Sequence, residues 1–251
     1  MALRAFRGRS LVPAGRAAEE PRGILWAIGL VALYIALTIP VYVVAYFAGF
    51  RGTYGEDIQK WPYVVHVVLG GSAQILALVA VLGFRRWTGV RTAGEPAPAG
   101  RAAFSGLVAA VAILPVLIGV SLLQAWTYGQ FGREFRGQDL VRNAFAGDRA
   151  TFAAVAVFAV LVAPPFEEFV FRRLVYGGLR ARLGVFVATL VSAGLFAVWH
   201  LEPDAFPGTF VLGLAFAHLR ERTGGLTAPI AMHACYNALQ VTGILTARLG
   251  G

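Results

Sequence analysis

Apolar residues in this chain occur in long unbroken runs, without the strict alternation of strands, and charge collects in the short segments between them. Seven such runs predict helices. They lie at Ile24–Phe50, Pro62–Phe84, Ala103–Trp126, Thr151–Ala163 with the residues that follow it, Val185–His200, Phe206–Leu219 and Leu226–Ala247. The first exceeds the roughly 7–15 apolar residues of a signal-peptide core, so it is expected to remain as a membrane helix, kinked at Pro40. The expected fold is an all-α, polytopic transmembrane helical bundle of about seven spans. Residues 1–23 would form a basic cytoplasmic tail, 24–150 the N-terminal membrane helices, and 151–251 a C-terminal set that carries the polar residues of interest. No repeat of fixed period is visible.

Composition strengthens this picture. Of 251 residues, 58% are hydrophobic and 14% charged, and the mean hydropathy is +0.68, outside the range of soluble domains. An integral, multi-pass membrane protein is expected, with the lipid bilayer as its first partner. The formal charge is +9, and Lys60 is the only lysine. The arginines sit at the ends of the apolar runs, where membrane orientation accounts for them, so no nucleic-acid partner is expected. With a cytoplasmic N-terminus, the linkers 85–101, 172–183 and 220–222 share the cytoplasmic side and hold most of the interior arginines. Cys235 is the single cysteine, which excludes an intrachain disulfide and any zinc site built on several thiolates.

Three polar islands interrupt the C-terminal runs: Glu167-Glu168 with Arg172, Phe196 through His200, and His233 through Asn237. A carboxylate in an apolar run is costly and marks a functional site by default. Pro164 and Pro165 suit the first turn of a helix, on which Glu168 and Arg172 are four apart and can pair. Glu167 then points about 100° away and stays available. Glu168 lies 16 residues before Gly184 and His200 lies 16 after it. If Gly184 turns an antiparallel hairpin, the two reach the same height, about 24 Å along ideal helices. The arginines at 172–182 suggest that the lower part of this hairpin protrudes into the cytoplasm, so its depth in lipid is about half of that, and His233 stands about 13 Å above Gly224. The three islands can therefore converge on one site, open to the cytoplasm.

His233 and Asn237, four apart, present an imidazole and a carboxamide on one face, donors that suit the oxyanion of acyl transfer. A glutamate beside a histidine can deprotonate a water. The competing chemistry is a zinc ion held by Glu167, Glu168, His200 and His233, although no HExxH is present. Phe196, Trp199 and Tyr236 read as packing residues. A structural ion pair, a non-catalytic scaffold and a proton-relaying transporter are the other readings of the same residues.

These motifs resemble those of the CAAX prenyl protease 2 family of intramembrane proteases, also called CPBP or Abi, which includes bacteriocin self-immunity proteins. The family's EExxxR, FxxxH and HxxxN/D are met here by Glu167-Glu168-Phe-Val-Phe-Arg172, Phe196-Ala-Val-Trp-His200 and His233-Ala-Cys-Tyr-Asn237. The resemblance covers residues 151–247. It implies that Glu167 with His200 activates a water, that His233 and Asn237 stabilise the oxyanion, and that Glu168 with Arg172 orders the site. It further implies a membrane-embedded or lipid-anchored protein or peptide as substrate, prenylated CAAX ends among the options, in a bacterial cell membrane. The family has been described both as glutamate-dependent and as metal-dependent, and a non-catalytic immunity protein is the alternative it contains.

Overall fold

The structure, a computed structural model, describes residues 23–47, 60–87, 97–135 and 148–250. The basic tail, the link holding Glu56 and Asp57, and the middle of the 127–150 loop lie outside the described residues. Nine α-helices are described: α1 Gly23–Phe47, α2 Lys60–Trp87, α3 Ala99–Ala112, α4 Leu114–Gln130, α5 Arg149–Val157, α6 Ala163–Glu168, α7 Tyr176–Trp199, α8 Phe206–Thr223 and α9 Thr227–Gly250. Two π-helical segments, Phe158–Val162 and Phe169–Val175, join α5, α6 and α7 into one helical run.

The all-helical expectation holds among the described residues, but the expected spans do not map one to one onto the helices. Two runs, Ala99–Gln130 and Arg149–Trp199, are long and apolar enough to cross a membrane, and Ile24–Ile39 and Val67–Ala80 are shorter apolar stretches. The expected third span is two helices split at Ile113, one residue before the first turn of α4, which contains Pro115. Proline removes the N–H that would continue the ladder there. Helix α1, by contrast, runs through Pro40.

The Gly184 turn is present. Its φ of 79° interrupts α7, a left-handed conformation that glycine adopts without the steric cost of a Cβ. The hairpin closes behind it: the Ser192 hydroxyl donates to the carbonyl of Phe171 at 2.7 Å. Gly224, also left-handed, caps α8 and starts the turn into α9. Both turns lie at one end of the bundle, because Arg180, just before the first, pairs with Glu221, just before the second, at 2.6 Å. The start of α3 is there too, with Ala97 N–H on the Thr223 carbonyl. At the opposite end, Tyr128 donates to the Asp204 carboxylate and Gln124 to the Asp204 carbonyl, tying α4 to the α7–α8 loop.

The principal core joins Leu30, Phe166, Phe169, Phe171, Leu174, Phe196, Phe216 and Met232. Outside it, Leu122, Leu161 and Phe186 are more than 60% exposed. Apolar side chains turned outward in this way suit a lipid solvent, in which association of helices rests on close packing rather than on expulsion of water.

Candidate active site

The site begins with a backbone defect that two prolines impose. Neither Pro164 nor Pro165 can donate to a carbonyl in the preceding turn. The turn widens to π geometry, and Ala163 N–H bonds back to Phe158 rather than to Ala159. In that register the next donor, for the Ala159 carbonyl, would be residue 164, which is proline and has none. The orphaned oxygen is taken up from another helix: the Asn237 side-chain amide donates to it at 2.7 Å. Two segments 78 residues apart are thus joined by a hydrogen bond that the Pro-Pro pair makes necessary.

Directly after the prolines, α6 carries Glu167 and Glu168, both buried. Glu168 is fully enclosed and makes two contacts: Arg172 Nε lies 3.2 Å from one oxygen and His233 Nδ1 lies 3.0 Å from the other. An ionised carboxylate only accepts, so the proton of this bond belongs to Nδ1, and His233 Nε2 is left facing outward from the pair. Nε2 is 3.9 Å from the free oxygen of Glu167. Glu168 is thus held by Arg172 and His233, while Glu167 lines a cavity.

Arg172 lies in the second π segment and is completely buried. One guanidinium nitrogen donates to the Gly213 carbonyl at 3.2 Å, while Nε and one terminal nitrogen have no hydrogen-bond acceptor. Aromatic faces supply part of what is missing. The guanidinium carbon is 4.4 Å from the ring centroid of Phe196, 5.1 Å from Phe216 and 5.9 Å from Phe171, within the range of cation–π attraction. Phe216 also stacks on the His233 ring, at 4.8 Å and 18°. Phe196 meets both histidines edge-on, His200 at 4.9 Å and His233 at 5.8 Å. Phe196 was expected only to pack. It does pack in the principal core, and its ring also meets Arg172 and both histidines; Phe216, which does the same for Arg172 and His233, carries no motif spacing that could have singled it out.

Glu167, His200, His233 and Asn237 all line one cavity of about 1220 Å³, whose wall is otherwise largely apolar. His200 Nδ1 bonds the Phe196 carbonyl at 2.9 Å, which leaves its Nε2 for the cavity. Cys235 is free and partly buried. The zinc set of Glu167, Glu168, His200 and His233 does not assemble: among the described residues no three His, Cys, Asp or Glu side chains are grouped to hold a metal ion. Of the two Glu168 oxygens, one is hydrogen-bonded to His233 and the other lies in ion-pair contact with Arg172.

Residues 149–239 match the family model of type II CAAX prenyl endopeptidases, Rce1-like. A putative membrane peptidase, YdiL of Bacillus subtilis, is 29% identical over 85 residues, which is 34% of this chain and 35% of that protein. The membrane-embedded CAAX protease MroQ of Staphylococcus aureus is 30% identical over 90 residues, 34% of this chain and 36% of that one. Residues 149–239 are thus similar to the proteases of the CPBP family. No solved structure matches the chain. The matched segment takes in both π segments, α6 to α8, and His233 and Asn237 of α9, and so contains Glu167, His200, His233 and Asn237 of the cavity wall. The relatives are matched over little more than a third of their own lengths.

Proposed function

We propose that the protein is an intramembrane endopeptidase that cleaves a peptide bond of a membrane-embedded or lipid-anchored protein, with a water activated by Glu167. The observation that carries this reading is the gap between Glu167 and His233 Nε2. At 3.9 Å it is too long for a hydrogen bond, yet it admits one water within hydrogen-bond reach of both groups. Glu167 takes a proton from that water as the oxygen attacks the scissile carbonyl carbon. The proton is then delivered to the departing amine, and no covalent enzyme intermediate forms.

The carbonyl oxygen becomes an oxyanion and needs donors. Asn237 spends one amide hydrogen on Ala159 and has a second for the cavity. His233, its Nδ1–H fixed on Glu168, takes that same proton from Glu167 at Nε2, donates from there to the oxyanion as an imidazolium that the two glutamates stabilise, and passes the proton on to the departing amine. His200 assists at the same water through Nε2. Glu168 and Arg172 are positioning residues that act through His233.

The alternative, a non-catalytic polar lock, draws on the same network, since Glu168, Arg172 and His233 join three elements. Glu167 separates the two readings, because the protease needs it for turnover whereas the lock would need it only for stability. The test is cleavage of a quenched fluorescent farnesylated CAAX peptide by purified protein in detergent. Glu167→Gln should lower turnover at least about 100-fold with unchanged thermal stability, and wild-type activity should survive a chelator. Loss of activity on chelation, restored by zinc, would replace the glutamate mechanism by a metal one. A wild type that cleaves no membrane peptide, with Glu167→Gln unstable, would establish the lock.

A further inference from the structure

The N-terminal helices contribute two polar side chains to the same cavity. Tyr34 of α1 and Gln74 of α2 both line it, together with Glu167. Tyr34 is braced by Phe166 and Trp199, with ring centroids 5.7 and 5.8 Å away, so its ring is fixed against the glutamate helix and the FxxxH helix at once. Its hydroxyl lies beside the Gln74 side chain and within electrostatic reach of Glu167. Gln74 is 3% exposed, and its carbonyl oxygen Oε1 has no hydrogen-bond partner.

A buried, unpaired amide oxygen is expensive and marks a place where a partner is expected. The Tyr34 hydroxyl can donate into the cavity, while Gln74 Oε1, buried without a partner, can accept there. A donor and an acceptor side by side, in an apolar wall next to the candidate base, match one chemical group in particular. A peptide unit carries one carbonyl acceptor and one N–H donor, and against a largely apolar wall both are met at least cost by paired protein groups.

We propose that Tyr34 and Gln74 form a clamp for a backbone amide of the substrate peptide: the Tyr34 hydroxyl donates to a substrate carbonyl and Gln74 Oε1 accepts a substrate N–H. The clamp holds the chain extended beside Glu167 and reads the backbone rather than any side chain. It rests on the endopeptidase reading above, and it gives the first two helices a part in that reaction beyond packing.

The test uses the full-length protein in detergent with the farnesylated CAAX peptide and a series of the same peptide N-methylated at one backbone nitrogen at a time. Tyr34→Phe and Gln74→Leu should each raise KM about tenfold, the cost of one lost buried hydrogen bond, and leave kcat within a factor of about three. One N-methyl peptide should bind about tenfold more weakly to wild type yet equally to wild type and Gln74→Leu, a coupling that mere loosening of the fold would not produce. Binding is also read by fluorescence anisotropy on Glu167→Gln protein, so that it does not depend on turnover. Cleavage by wild type with KM unmoved in both variants, or N-methyl penalties that persist in Gln74→Leu, would overturn the clamp and leave the protease standing. Neither binding nor cleavage by wild type would overturn both.

Discussion

Arg172 shows how far a single residue here depends on its surroundings. Its charge is enclosed with that of Glu168, and three phenylalanine rings surround what the hydrogen bonds leave bare. Removing one partner of a buried pair strands the other, which typically costs about 3–5 kcal/mol. Arg172→Met should accordingly lower thermal stability strongly. Arg172→Lys keeps the charge but loses the planar contact with Phe196 and Phe216 and the fork that reaches Gly213, and should recover only part of it. Thermal unfolding in detergent, followed by tryptophan fluorescence, checks both; an Arg172→Lys protein as stable as wild type would show that charge alone matters. The Glu168–Arg172 pair was legible from a spacing of four on a helix. The ring cage was not: Phe216 lies 44 residues beyond Arg172 on another helix, and no spacing rule links them. His233 beside Glu167 was likewise hidden, because the motif order paired that glutamate as readily with His200.

At the scale of elements, the prolines before the glutamates do more than start a helix. They orphan the Ala159 carbonyl, and Asn237 of α9 satisfies it. Asn237→Ala should therefore destabilise by about 1–3 kcal/mol, the cost of an unsatisfied buried acceptor. In a Pro164→Ala background, where residue 164 regains an N–H, the same substitution should cost clearly less. A double-mutant cycle on unfolding midpoints measures the difference, and strict additivity would refute the link. The π segments themselves were invisible in the apolar pattern, since a continuous apolar run reads the same whether a turn holds one more residue or one fewer. The contact between α3 and α9 was equally unreadable. A Cβ on Gly106 would run into the carbonyl oxygen of Ala228 and press on the backbone of Met232, so Gly106→Ala should cost about 1–3 kcal/mol by forcing the helices apart.

Across the whole molecule, the charges divide the two ends of the bundle. At the Gly184–Gly224 end, Arg180 grips Glu221 through two hydrogen bonds, and Tyr176 donates a third. Burial opposes ionisation of Glu221, but these bonds outweigh it and hold its carboxyl below the ordinary value. A depressed folded value means that the stabilisation is present above the unfolded pKa and is lost as pH falls through the folded one. Wild type should exceed Glu221→Gln by about 0.5–1 kcal/mol near neutrality, since water partly screens the pair, and the two should converge in acid. The same end holds the linkers richest in arginine, which the positive-inside rule assigns to the cytoplasm. The structure closes that end on itself through Ala97 with Thr223 and Arg180 with Glu221, while Tyr128 and Asp204 meet at the other. Orientation can then be read with single cysteines in a Cys235→Ser background. Arg182→Cys and Arg222→Cys should resist a membrane-impermeant maleimide in intact cells and react after permeabilisation, whereas Arg133→Cys, beside Tyr128, should react at once. The reverse pattern would invert the orientation and leave the bundle intact. Labelling that divides residues 182 and 222 between the two sides would break the hairpin that brings Glu168, Arg172 and Phe196 together, and with it the site.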